Sequence, residues 1–142
     1  MENMTTEWKK AVNDFAFTEY MLSRAPGHTI CQYEKILEKG FKGMKADIEH
    51  SLTNLDYANR EIFKKINELK AMRISCDAAI LFAKRYAKEA RRLAKEEQNN
   101  KRKRELLIIA DVCERVPENP ARNFHEAIQS FWFTHLILTL ET

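Results

Sequence analysis

An all-helical fold is what this sequence predicts, and three observations carry that prediction. Among 142 residues only three are glycine and three are proline, so sharp turns are few. Apolar residues recur at steps of three and four over long stretches, the spacing of one face of an α-helix. No stretch alternates apolar and polar residues in the manner of a half-buried strand. With 44% apolar residues the chain can bury a modest core, and its length allows at most one domain, residues 1–142. The 24 basic and 21 acidic side chains leave a net charge of +3. That balance calls for no polyanionic partner such as nucleic acid.

The elements follow in order. Thr5 or Thr6 can cap a first helix carrying Trp8, Val12, Phe15, Ala16, Glu19 and Tyr20 at near-helical spacing. It ends before Pro26, because the residue ahead of a proline is pushed out of the helical region. Ala25-Pro26-Gly27-His28 then forms a tight loop. Thr29 is a candidate cap for a second helix over 30–52. Tyr33, Ile36, Leu37, Gly40, Phe41, Met44 and Ile48 lie along one side of it, and Lys35, Glu38, Lys39, Lys42 and Lys45 along the other. Gly40 and Gly43 predict close packing, with a hinge as the alternative. One very long helix is expected over about 54–97, started by Asn54-Leu55-Asp56. Its stripe is Leu55, Ala58, Ile62, Ile66, Leu69, Met72, Cys76, Ala79, Ala83, Tyr86, Ala90 and Leu93. A second apolar line, Phe63, Ile74, Leu81 and Phe82, predicts packing on two neighbours rather than a two-stranded coiled coil. Gln98-Asn99-Asn100 is a polar break, and Lys101 to Val116 is a further helix ending at Pro117.

The last segment is the most apolar. Asn119 can cap a helix whose first residue is Pro120, and Glu126 suits the early turns. Phe131, Trp132, Phe133, Leu136, Ile137, Leu138 and Leu140 cover most of its circumference, which predicts a buried helix. At about 18 residues it nearly matches a bilayer, but His125, Glu126, Gln129, His135 and Glu141 favour a core helix over a membrane span.

Few residues form a chemical pattern. Four histidines, His28, His50, His125 and His135, show no metal-ligand spacing; His135 reads as a satisfied core histidine and His50 as a solvated helix end. Lys101-Arg102-Lys103-Arg104, near Arg91-Arg92, winds around a helix start and is flanked by Glu96, Glu97 and Glu105, so a solvated junction is expected. Cys31, Cys76 and Cys113 are an odd set without a Cys-x-x-Cys pair, which fits a reduced cytoplasmic protein. Cys76 and Cys113 fall on apolar stripes and are expected to be buried and inert. Met1 to Asn13 contains no apolar run of the kind a secretory signal needs. The remaining candidate pair is Tyr20, at a helix end, and His28, on the loop after it, with Arg24 between. A loop histidine can aim its ring into a cleft and exchange a proton near neutral pH, although from spacing alone a structural role is the plainer reading.

Two segments, in this order, resemble one family. Pro120-Ala-Arg-Asn-Phe-His-Glu-Ala-Ile-Gln-Ser-Phe-Trp-Phe133 is similar to a segment of the glycyl radical enzymes, the pyruvate formate-lyase-like lyases and dehydratases, with Asn123 where Thr or Ser is usual. Arg24-Ala-Pro-Gly-His-Thr29 resembles the loop that carries a pocket histidine in the diol and hydroxyproline dehydratases. The resemblance runs from about Phe17 to the end. It implies substrate-binding roles for His28 and Tyr20 and radical cleavage of a C–O, or a C–C or C–N, bond in an anaerobic setting, and the histidine tilts the function toward dehydration of a small hydroxylated substrate.

It also implies a larger α/β-barrel enzyme in which a glycyl radical, installed by a separate activating enzyme, acts through a cysteine. Both lie in later segments, and none of the three cysteines here matches. The chain is therefore expected to be an N-terminal helical fragment, inactive alone and binding no cofactor itself. The remainder of the enzyme, or an oligomer, would cover Phe124–Leu140. The rival expectation is a stand-alone helical interaction module. Neither reading calls for nucleic acid or membrane.

Overall fold

The computed structural model describes residues 31–140, together with Thr6 and Lys10. Four α-helices lie among them: α1 (Tyr33–Thr53), α2 (Ile62–Glu96), α3 (Asn100–Arg115) and α4 (Phe124–Leu140). No strand occurs among the described residues, as the sequence predicts. Tyr20 and His28, the first helix and the Pro-Gly loop lie outside the described residues. The chain divides into two compact units, Met1–Cys31 with Leu136–Thr142, and Gln32–His135. The second holds α1, α2, α3 and most of α4.

α1 is two helical segments joined at Gly40, whose backbone (φ 65°, ψ 170°) is not helical. That combination is essentially reserved for glycine. The interruption frees main-chain groups on both sides, and each needs a partner because α1 is partly buried there. The connection between α3 and α4 supplies them. The amides of Phe41 and Lys42 donate to the carbonyls of Pro117 and Glu118, each at 2.9 Å, and the amide of Ala121 donates to the carbonyl of Leu37 at 3.1 Å. Absence of a side chain at Gly40 permits the approach, since a Cβ there would stand 2.4 Å from the Glu118 carbonyl oxygen. The close packing expected of Gly40 is thus made with a loop, and it comes with a break in the helix. A Lys84–Glu118 ion pair at 2.6 Å ties the same loop to α2. Val116 and Pro117, joined by a cis peptide, are buried beneath it.

The long helix begins at Ile62 rather than near Asn54. Asn54 instead closes α1, its side-chain amide donating to the His50 carbonyl at 2.9 Å. Asp56 then accepts from the Ala58 amide at 2.9 Å and Asn59 from the Glu61 amide at 2.8 Å. Short polar side chains that bond their neighbours' amides favour turns over helix. From Ile62 the helix runs unbroken for 35 residues, about 50 Å at 1.5 Å per residue. α1 is held along it by Arg73–Glu49 at 3.1 Å and by a Lys45–Asp77 pair.

The buried stripe of α2 is Ile62, Cys76, Ala79, Ala83, Ala87, Ala90 and Ala94. Met72, Tyr86 and Leu93, expected in it, are exposed. Alanines take the inner positions because α3 packs close against them. Glu97 accepts from the Asn99 amide at 2.8 Å, and Asn99 caps α3 by accepting from the amides of Lys101 and Arg102. The chain thereby reverses within three residues. Arg91 of α2 reaches Glu114 at 2.7 Å and Asp111 at 3.2 Å on α3, as an antiparallel pair requires. α2 does pack on two neighbours, α1 and α3, but of the second apolar line only Phe82 contributes: Phe63, Ile74 and Leu81 are exposed. Ala83, Ala87 and Cys113 form the core with Phe133 of α4, and Phe82 and Ile109 close it. The Phe133 ring meets Phe82 and Tyr86 edge-on, with centroids at 6.0 and 5.6 Å.

Gly40→Ala should therefore destabilise the protein by about 3 kcal/mol, combining a strained backbone with overpacking against the loop. Denaturant unfolding of the two proteins measures the difference; equal midpoints would mean that the loop does not sit on Gly40.

Candidate functional site

The α3–α4 connection fixes where α4 starts. Asn119, expected to cap it, instead donates to the Arg115 carbonyl at 3.1 Å. Asn123 takes the cap, accepting from the Glu126 amide at 3.0 Å, so the helix begins at Phe124, four residues after Pro120. Glu126 is the centre of this end. Its carboxylate is 2% exposed and accepts from the Arg122 guanidinium at 2.6 Å, the Arg122 amide at 2.8 Å and Arg115 Nε at 3.3 Å. Arg115 also donates to the Pro120 carbonyl at 3.2 Å. Hydrogen bonding to the Arg122 side chain leads in holding the Glu126 carboxyl down to about 2; burial opposes this. A carboxylate so engaged stays ionised at neutral pH and has no proton to give. It anchors the turn rather than acting as an acid or base.

α4 then presents an unusual polarity. Glu126, Ser130, Phe133 and Thr134 are the buried positions, spaced as one helical face. Thr134 Oγ1 donates to the Ser130 carbonyl at 2.9 Å, and Ser130 Oγ is buried without a partner. The opposite face carries Phe124, 81% exposed, Ile128 and Trp132, each 50%, and Phe131, 41%. The expectation of a helix buried on most sides is met by Phe133 but not by these. His135, expected in the core, is exposed on the same outer face. Its ring lies parallel to Phe131 at 6.2 Å and 6.1 Å from Trp132, while Tyr33 of α1 reaches Phe131 at 4.5 Å. The sequence shows the aromatic residues. What it does not show is that three inward positions go to Glu126, Ser130 and Thr134.

Other candidates resolve as structural or solvated. Cys76 and Cys113 are buried, and burial pushes the Cys113 thiol up to about 11, which suits an inert thiol. Lys101, Arg102, Lys103 and Arg104 are all exposed, and Arg102 pairs with Glu105 at 3.0 Å. Arg92 lies between Glu89 and Glu96, each at 2.7 Å, within an open groove of about 460 Å³ along α2. His50 is exposed beside Asn54. Among the described residues no three His, Cys, Asp or Glu side chains cluster as metal ligands, and no helix is long and apolar enough to cross a membrane. The structure thus places neither member of the Tyr20–His28 pair, and the site it does define is the anchored turn and the aromatic outer face of α4.

The family described as pyruvate formate lyase-like matches residues 1–142. The chain is 45% identical, over 139 residues, to trans-4-hydroxy-L-proline dehydratase of Clostridioides difficile, covering 97% of this chain and 18% of that protein. It is 42% identical to isethionate sulfite-lyase of Oleidesulfovibrio alaskensis, covering 89% of this chain and 15% of that protein. The fold is similar to the glycerol-bound B12-independent glycerol dehydratase of Clostridium butyricum, with a TM-score of 0.80 and 36% identity, over 99% of this chain and 18% of that one. The chain therefore spans less than a fifth of the length of these relatives.

The Glu126 anchor has a testable pH signature. Its folded-state pKa lies below the ordinary 4.5, so its stabilisation is fully present above about pH 4.5 and is lost as pH falls toward about 2. Glu126→Gln should lower stability at neutral pH by about 2 kcal/mol and flatten the acid limb in that window. Unfolding midpoints measured from neutral to acid pH test this; an unchanged acid limb would remove Glu126 from the anchor.

Proposed function

Since this chain belongs to the pyruvate formate lyase-like family, we propose that it forms the pocket-bearing helical portion of a glycyl radical dehydratase acting on a small hydroxylated substrate by C–O cleavage. The observation that carries this reading is the 45% identity to trans-4-hydroxy-L-proline dehydratase across nearly the whole chain, and the similarity to a glycerol dehydratase supports it. His28, on the Arg24–Thr29 loop, holds the substrate hydroxyl and, when protonated, gives its ring proton to the departing oxygen, which leaves as water. Tyr20, eight residues earlier, lines the same pocket.

The glycyl radical, installed by a separate activating enzyme, supplies hydrogen-atom chemistry through a cysteine on segments beyond this chain. Cys76 and Cys113 are buried in the helical core and have no part in that step. Alone, the chain binds no cofactor and turns over no substrate. The reading carries an anaerobic, cytoplasmic setting.

The test is a continuous chimera in which this chain replaces the matched segment of the C. difficile dehydratase, activated anaerobically by that enzyme's own activase. The chimera should dehydrate a hydroxylated substrate. His28→Ala should reduce its turnover by about a hundredfold or more while its melting temperature holds. Unchanged turnover across a panel of hydroxylated substrates would refute the role of His28. Turnover by the isolated chain would refute its dependence on later segments.

A further inference from the structure

The outer face of α4 is a five-residue stripe at helical spacing: Phe124, Ile128, Phe131, Trp132 and His135. It lies opposite the buried Glu126–Ser130–Thr134 line, and Tyr33 of α1 extends it beside Phe131. A helix that turns polar groups inward and aromatic rings outward has its apolar surface left over for something else. The helix cannot simply roll to bury the stripe. Glu126 is held by Arg115, Arg122 and the capped turn, and Phe133 is seated among Ala83, Ala87 and Cys113.

We propose that this stripe is a docking seam for the later, catalytic portion of a pyruvate formate lyase-like polypeptide, a proposal that rests on the enzyme reading above. Two considerations select that occupant. The relatives match this chain nearly end to end while more than four-fifths of their own length lies outside the match, so the same fold there carries a large further body. The stripe is also small. Five side chains, four of them aromatic or imidazole, with Phe124 mostly exposed and Ile128, Phe131 and Trp132 about half exposed, offer on the order of 500 Å², short of the ~800 Å² per partner of a standard interface between separate proteins. A body joined covalently needs no such area, because its contact escapes most of the entropy cost of association. A second copy of the chain has no such advantage.

The seam is tested by hydroxyl-radical footprinting, read by mass spectrometry at Phe124, Phe131 and Trp132, in the isolated chain and in the full-length chimera. The isolated chain should sediment as a monomer with all three residues modified. In the chimera their modification should fall several-fold. Phe124→Glu with Ile128→Glu, the stripe positions that meet no other ring among the described residues, should leave the melting temperature of the isolated chain unchanged and lower that of the chimera, or prevent the chimera from folding. Equal modification in both contexts would overturn the proposal, as would an unsubstituted chimera that fails to fold. Protection within an isolated chain that sediments as a dimer would assign the stripe to a second copy instead. Footprint and turnover are read separately. A protected seam in a chimera that dehydrates nothing keeps the docking surface and removes the substrate assignment.

Discussion

Where α1 breaks at Gly40, its freed amides and carbonyl meet the main chain of residues 117–121, and the placement of the later elements follows from that contact. A helix N-terminus leaves its first amides without partners, and a helix C-terminus leaves its last carbonyls so. Here one interruption creates both, and one loop satisfies both. The arrangement requires an α-carbon without a side chain, because the Glu118 carbonyl occupies the space a Cβ would take. Once the loop is seated, Arg115 and Arg122 lie where they can hold Glu126. The start and rotation of α4 are then determined, and its aromatic side faces away from the alanine-lined hairpin.

The helical periodicity was legible because three-four spacing over long stretches allows few alternatives. Boundaries were less so. Asn54, Asp56 and Asn59 resemble helix-start residues, yet each bonds a neighbour within a turn, and only the local geometry decides between those uses. The burial of α2 was misplaced by about one position in its second half. Large side chains attract attention in a sequence, whereas close helix packing selects small ones, so Ala87 and Ala94 are inside and Tyr86 and Leu93 are not. The rotation of α4 could not be read at all. Its apolar residues cover most of the circumference, and what orients it is a buried carboxylate bonded to two arginines eleven and four residues before it. Gly40 carried a usable signal, since a glycine in an otherwise apolar stripe marks a close approach. The partner in that approach lies nearly eighty residues away.

The family was legible through motif order rather than through geometry. Arg24–Thr29 and Pro120–Phe133 point to the family from opposite ends of the chain, and the match over residues 1–142 agrees with both. The second motif has a physical role in this structure. Its Arg122, Asn123 and Glu126 build the capped, ion-paired turn, and its Phe131 and Trp132 form the outer stripe. One short sequence thus both anchors the helix and equips its outward face.

Amide hydrogen exchange at Phe41 and Lys42 tests most directly whether the loop holds the broken helix. Amides at an uncapped helix start exchange nearly as fast as exposed chain. Bonded to the Pro117 and Glu118 carbonyls, these two should be protected to the level of the α2–α3 core amides, and Ala121 with them. All three should lose protection together in Gly40→Ala. Rapid exchange at Phe41 and Lys42 in the unsubstituted protein, with the α2–α3 amides still protected, would contradict the clamp and with it the orientation of α4.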